Sequence, residues 1–594
     1  ETIKYAVSSR RVKIVVASGS LLLLTMAQLA RNSRRTLVSV GEALSSLGVQ
    51  ARTFASFVEQ TPNSSFPPLL QVEKLQPLIE KTPTSPLVHP ESSADRRRIA
   101  FRDVSQTEGA WGYPHVNARY KPDEHKPVQD LPDRVPPKGA SPMHWETEWS
   151  DADIQTAKEE NVMLTWGPTE PAKDLPNIVR GEGVYLYDDK GNKYLDWTSQ
   201  AICVNLGHSV PQEVVQAVSK QMETLPYIYG GMGICPVRSR LSKLMSEITP
   251  GDINGFLFPC GGAEANEAAI RMARRYTGRQ KILTQYRSYH GGAAASLGAT
   301  GDFRRFFTEQ NVTGFVKIFN PQPLGFSWGK TDEEANRLCL QALEEQILQE
   351  GPGTIAAIML ESIVGAGGVL VPPAGYMQGV RALCDKYDIL FILDEVMTGF
   401  GRTGEVFAFE HFEGVVPDIV TSAKGLTGAY MPMSLVGVRE KIKQFFHKEP
   451  LGWGATYQAH PVAMACAYEC VKYTLQQRLP QRAKALQSVM MEEINAIVAK
   501  HSSVKQGRAI GLFGCLDLQT PDGQMIQPLA GPSPPYVTEF RKTLRDHGLM
   551  SLFRPPLLHC CPPLVIKESE LRDGFQRLSA ALSKLDESQA KLSM

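Results

Sequence analysis

The sequence predicts an α/β fold built on a mainly parallel sheet, and three apolar runs and one glycine-rich turn predict it. Thr354 to Leu360 runs into Glu361, Ile389 to Leu393 runs into Asp394, and Asp418 to Ser422 leads to Lys424. Short aliphatic runs with little polar alternation are the pattern of strands covered on both faces. Each run delivers a polar residue at its end, and in open α/β sheets ligands bind beyond the carboxyl ends of the strands. The turn Cys260-Gly261-Gly262-Ala263 opens a helix predicted to reach about Tyr276, with Gly278 as its stop. Free amides at such a helix start make an anion site.

The remaining elements follow from local pattern. Glu182 to Asp196 alternates apolar and polar residues around Asp189-Lys190-Gly191-Asn192, which predicts antiparallel strands. Arg508 to Leu518 opens a further β-rich region toward the C-terminus. Gly399-Phe400-Gly401-Arg402-Thr403-Gly404 satisfies G-x-G-x-x-G, yet it opens no evident helix and its acidic neighbours precede it, so a dinucleotide loop is rejected. No fixed-period repeat is visible.

A chain of 594 residues has room for two or three domains, and 42% hydrophobic with 21% charged residues suits a large buried core. A net charge of +1 points to neither a polyanion nor a membrane surface, and Arg96-Arg97-Arg98 reads as solvated linker, so no nucleic-acid partner is expected. Ten cysteines lie scattered without a Cys-x-x-Cys pair. They are expected to be reduced, mostly buried thiols, with no metal site; packing accounts for Cys466 and Cys470, four apart on a helix.

The N-terminal quarter lacks this patterning. Ile14 to Ala30 is uncharged but falls short of a comfortable span and is diluted by Ser18, Gly19, Ser20 and Gln28, so no stable membrane span is expected. From Met26 the chain is rich in Arg and Ser, has Glu42 as the one acid before Ser56, and repeats Leu37, Val40, Leu44 and Leu47 at helical spacing. That is the amphipathic form of a mitochondrial presequence. Residues 1–56 are therefore expected to be a targeting segment addressing the mitochondrial matrix, with Met26 as the start and 1–25 outside the translated protein. Residues 57–144, with Pro62, Pro67, Pro68, Pro77, Pro83, Pro86 and Pro90, are expected to be a disordered linker or surface arm.

Asp394 and Lys424 carry the chemistry. A lysine amine that can form a Schiff base, with a carboxylate able to hold a proton on a pyridine nitrogen, is the pairing that pyridoxal 5'-phosphate needs. In their settings, Leu393-Asp394-Glu395-Val396-Met397-Thr398-Gly399-Phe400-Gly401 and Thr421-Ser422-Ala423-Lys424-Gly425, they resemble the class III (ornithine/ω-amino-acid) aminotransferases. The resemblance runs from about residue 160 to the C-terminus. It implies fold type I of the pyridoxal-phosphate enzymes: a large domain with a mainly parallel seven-stranded-type sheet flanked by helices, plus a smaller α+β domain. On that reading 145–215 is the N-terminal part of the small domain, 216–460 the large domain and 461–594 the C-terminal part of the small domain.

The resemblance also implies roles. Lys424 and Asp394 are the catalytic pair. Gly262 and Ala263 meet the cofactor phosphate, although most relatives have Ser or Thr where Ala263 stands, which removes one hydroxyl contact. Tyr289, in Tyr286-Arg287-Ser288-Tyr289-His290-Gly291, stacks on the ring and Val396 packs on its other face. Glu361 is an acid near the substrate pocket. Thr456 reaches the neighbour's phosphate across a homodimer with active sites at the interface. Trp166 and Arg554 line the substrate pocket, Arg554 lying upstream of what is read as a Pro-Pro-Leu strand, Cys561-Pro562-Pro563-Leu564. His208 and His290 read as structural, hydrogen-bonded residues. The motifs look most like the taurine:pyruvate branch, with β-alanine and GABA as close competitors. Met397, where glutamate users carry Gln, implies pyruvate as the keto acid. A same-fold aminomutase or decarboxylase, or a catalytically idle scaffold in a mitochondrial assembly, stays as the alternative.

Overall fold

The computed structural model describes residues 148–592, apart from 167–168, 170–173, 308–311 and 529–531. The expected targeting segment at 1–56 and the proline-rich arm at 57–144 lie outside the described residues. The alternating stretch forms antiparallel strands β1 (Ile178–Glu182), β2 (Tyr185–Asp188) and β3 (Lys193–Asp196). Gly183 turns β1 into β2 with φ of 59°, a backbone state glycine adopts without a Cβ penalty. Asp188 pins the next turn by accepting from the backbone of Lys190 and Asn192 and from the side chains of Asn192 and Tyr194.

The large sheet comprises β4 (Ile253–Leu257), β5 (Lys281–Gln285), β6 (Phe315–Ile318), β7 (Ile355–Glu361), β8 (Leu390–Glu395), β9 (Ile419–Ser422) and β10 (Leu435–Arg439) in the order β4-β10-β9-β8-β7-β5-β6. The five strands from β9 to β6 are mutually parallel, and β10 runs antiparallel to both its neighbours. Every residue of β7, β8 and β9 is buried. Alternation of side chains across the pleat explains why. Ile358, Leu360, Phe391 and Leu393 enter one core with Leu241, Leu343 and Tyr376, whereas Ala357, Met359, Leu390 and Ile392 enter another with Ala265, Ala269 and Ile270 of the helix Gly262–Thr277. That helix ends where the sequence predicts, at Gly278 with φ of 69°.

Toward the C-terminus, β11 (Val504–Ile510), β12 (Phe513–Leu518), β14 (Phe553–Arg554) and β15 (Leu557–Cys560) form an antiparallel sheet, and β13 (Leu549–Met550) pairs parallel with β3. Segments more than 350 residues apart thus share one small sheet, on whose β13 the helix Glu568–Leu592 packs, while the helix Leu479–Lys500 packs on β11 of the antiparallel sheet. The helix Pro461–Gln476 serves both regions: Ala463, Met464 and Val471 join the core of the large sheet, and Cys466 and Cys470 join the small-domain core with their sulfurs 3.9 Å apart. All ten cysteines are free, and all but Cys203 and Cys260 are buried.

One expectation needs correction. Cys561-Pro562-Pro563-Leu564 is not a strand; the strand precedes it as β15. Proline has no N–H to give to a ladder, and the two amides available here go elsewhere, Cys561 N to the Trp197 carbonyl and Leu564 N to that of Asn205.

Candidate active site

Strand register assembles the site. Glu361 at the end of β7 lies opposite Asp394 on β8, and Asp394 lies opposite Thr421 on β9. Lys424 follows two residues after β9, in a short 3-10 turn, Lys424–Leu426, with φ of 39°. Left-handed backbone in a residue with a Cβ is a form of strain that concentrates at functional sites. Burial pushes the Lys424 amine down to about 8, Arg554 pushing the same way while Cys203, Asp394 and Glu361 oppose it. No hydrogen bond engages its Nζ among the described residues.

The pleat decides which carboxylate of Asp394-Glu395 serves the site. Glu395 turns away and is consumed structurally, accepting from Ser362 Oγ, Thr398 Oγ1 and the amides of Ala408 and Phe409, while burial pushes it up to about 7. Asp394 accepts from Val396 N at 2.9 Å through Oδ1, and Oδ2 meets Asn266 Nδ2 and His290 Nδ1, each at 2.8 Å. His290 is hydrogen-bonded as expected, and its partner is the candidate catalytic carboxylate. Asn266 was not singled out from the sequence. Its one signal was its place four residues after Gly262, on the same face of the helix. Glu361 accepts from the amides of Tyr289 and Gly365, and burial pushes it up to about 7.

At the helix start, Gly262 closes on Val396: a Cβ there would lie 2.8 Å from Val396 Cγ1. Among the described residues no side chain caps the helix, and its first backbone bond runs from Ala265 N to Gly261 O at 3.0 Å. The amides of Gly262, Ala263 and Glu264 meet no acceptor among the described residues. These are the three donors that the missing hydroxyl at Ala263 leaves to hold an anion.

Tyr289 carries Arg304, which sequence reasoning also missed, with its guanidinium carbon 3.5 Å from the ring centroid. Asp302 holds that arginine through its Nε and Nη2. Trp166 meets Tyr289 edge-on at 5.8 Å and is 60% exposed. Arg554 on β14 is half-buried; burial, then Arg304, push it down to about 10, and it makes no ion pair among the described residues. Thr456 stands apart: it is exposed, with its carbonyl accepting from Tyr227 Oη at 2.7 Å. His208 bonds Asp196 at 2.9 Å.

The glycine-rich loop Gly399–Gly404 works as a cross-link. Arg402 is buried inside it and donates to the carbonyls of Leu512 and Pro562, to Ser199 Oγ and to Asn205 Oδ1. Among the described residues no cluster of His, Cys, Asp and Glu could hold a metal ion, and no helix is long and apolar enough to cross a membrane.

An amine and a row of helix-start amides without partners among the described residues, a carboxylate that accepts three hydrogen bonds and a flat aromatic ring make a donor set that fits pyridoxal phosphate. Comparison with known proteins agrees. The model of the family Aminotransferase class-III matches residues 169–582. The chain is 34% identical to putrescine–pyruvate aminotransferase of Pseudomonas aeruginosa over 57% of its own length and 76% of that protein. It is 30% identical to a probable mitochondrial gamma-aminobutyrate transaminase of Oryza sativa subsp. indica, over 70% of this chain and 86% of that one. Among solved structures it superposes on taurine:2-oxoglutarate aminotransferase from Bifidobacterium kashiwanohense, in complex with PLP and glutamate, with a TM-score of 0.70 and 37% identity, covering 74% of this chain and 99% of that one. An (S)-enantioselective omega-transaminase from Thermomicrobium roseum gives 0.69 and 33%, with the same coverage. The chain belongs to the class III aminotransferases, and is a pyridoxal-phosphate-dependent transaminase of fold type I.

Proposed function

We propose that this transaminase acts on ω-amino acids, with Lys424 as covalent anchor and proton carrier, Asp394 as partner of the ring nitrogen, and pyruvate as the keto acid. When bound, the cofactor supplies an aldehyde that captures amines and a ring that accepts electrons. The amine of Lys424, brought down to about 8 by burial, has a proton affinity suited to taking and returning a proton near neutral pH. Tyr289 and Val396 offer the flat and apolar surfaces for the ring, Glu361 supports Tyr289 through its amide, and the amides of Gly262 and Ala263 offer the phosphate seat. The observation that carries the acid-bearing substrate is Arg554, a half-buried guanidinium with no ion pair among the described residues, which acts electrostatically on Lys424. An amino acid or aminosulfonate could place its amine at Lys424 and its anion at Arg554, with Trp166 beside it.

Met397 supports pyruvate: it joins Ile363, Val369 and Phe513 in an apolar cluster and packs on Gly365, a soft wall in place of an amide. The similar proteins divide between pyruvate and 2-oxoglutarate in their names. A homodimer accords with Thr456 lying exposed beside Tyr457, 65% exposed, on a surface that Tyr227 reaches through the Thr456 carbonyl and the Tyr457 ring. The Arg- and Ser-rich N-terminus supports a mitochondrial address. The test is a panel of taurine, β-alanine, GABA and monoamines that carry no acid group, each with pyruvate. Preference for the amines without an acid group would reject the acid-bearing class.

A further inference from the structure

We propose that Asn266 is a positioning residue that acts through Asp394 to set how firmly this enzyme holds its cofactor. Asn266 is 1% exposed, and all of its polar groups are engaged. Its Nδ2 donates to Asp394 Oδ2 at 2.8 Å and to the His290 carbonyl at 2.6 Å, and its Oδ1 accepts from Thr421 Oγ1 at 2.7 Å. The circuit joins the helix Gly262–Thr277 to β8 and β9 beneath the strand ends. It also fixes the amide's orientation. Turned over, Oδ1 would face two oxygens that can only accept, whereas the Thr421 hydroxyl serves either orientation.

His290 sharpens the point. Its Nδ1 bonds Asp394 but its Nε2 is buried without a partner among the described residues, so the ring has no second anchor. Asn266 supplies one through the His290 backbone, and so holds both the carboxylate and the residue that donates to it. The inference rests on reading Asp394 as the partner of the ring nitrogen.

The isosteric change Asn266→Asp replaces a donor by an acceptor against Asp394, with His290 in contact and Glu361, Lys424 and Tyr289 as the other ionisable groups that interact with Asp394. Two carboxylates at hydrogen-bond distance share a proton or repel. The test uses purified holoenzyme of the wild type, Asn266→Ala, Asn266→Asp, Thr421→Val and Asp394→Asn. Three quantities are measured: the rate of pyridoxal phosphate release, the pH midpoint of the bound cofactor's absorbance, and the melting temperature after cofactor removal. Asn266→Ala should release cofactor about tenfold faster and displace the absorbance midpoint, the effect of losing a hydrogen bond to a charged group. Asn266→Asp should hold cofactor nearly as the wild type does at about pH 5.5 and lose it faster above about pH 8. Thr421→Val, which strips the partner of Oδ1, should move in the same direction by less, and carries the test if the Asn266 variants fail to fold. Melting changes with release rate and absorbance midpoint unmoved would mean a purely structural role and overturn the proposal. If Asp394→Asn moves both quantities while the Asn266 and Thr421 variants do not, this proposal alone falls; if Asp394→Asn moves neither, the reading of Asp394 falls with it.

Discussion

Burying the Lys424 amine should cost the cofactor-free protein stability, and Lys424→Met should recover it. The substitution keeps an unbranched stem of similar reach and removes the charge. Burial lowers the amine from 10.5 to about 8, and Arg554 adds to the effect. At about 1.4 kcal/mol per unit this corresponds to roughly 3 kcal/mol as an upper figure. The sign follows from linkage. The folded-state value lies below the unfolded one, so between them the unfolded chain holds the extra proton and stability rises with pH. The cost is therefore complete below about pH 8 and fades as pH climbs toward 10.5. Urea denaturation of cofactor-free wild type and Lys424→Met, at one protein concentration, reads the difference from the midpoints and their common slope. The variant should be more stable by about 2–3 kcal/mol near pH 7, and the gap should shrink to below about 1 kcal/mol near pH 10. A gap independent of pH would show that packing, not charge burial, sets it, and no gap at all would refute the electrostatic account of this lysine.

Reduction with borohydride and peptide mapping should label Lys424, and Lys424→Ala should fold yet lose turnover; a label on another lysine would sink the assignment. Asp394→Asn should keep that label while turnover drops by about 10²–10³, the usual loss when one preorganised electrostatic partner is removed; near-normal turnover would mean the wrong carboxylate. Arg554→Gln should raise KM for an acid-bearing amine by about tenfold or more and leave a monoamine without an acid group unchanged; an equal effect on both would remove Arg554 from the substrate pocket. In single turnovers from the pyridoxamine form, pyruvate should react faster than 2-oxoglutarate, and the reverse order would overturn the role given to Met397.

Much of this was legible in one dimension because the information is local. The apolar runs before Glu361, Asp394 and Lys424 are strands since aliphatic residues with no polar alternation can only be covered on both faces. The helix Gly262–Thr277 begins and ends at glycines, as backbone chemistry requires. The lysine, the carboxylate and the glycine turn carry their chemistry in residue type and order, so the family and cofactor could be inferred from them.

Only the tertiary structure decided the rest, because it depends on which side chains distant segments bring together. The pleat turned Glu395 into a structural acceptor and left Asp394 for the site, although both are adjacent carboxylates in the same strand. Asn266 and Arg304 gained their importance from partners 128 residues away in one case and from the face of Tyr289 in the other. The Pro-Pro-Leu segment resembled a strand in sequence but lies beyond β15, where its flanking amides bond to segments near Trp197 and Asn205. Arg554 could have been a surface arginine; β14, paired with β15, instead carries it half-buried into the field of Lys424. Residue type set what chemistry was available, and register and packing set which copies of each type were free to perform it.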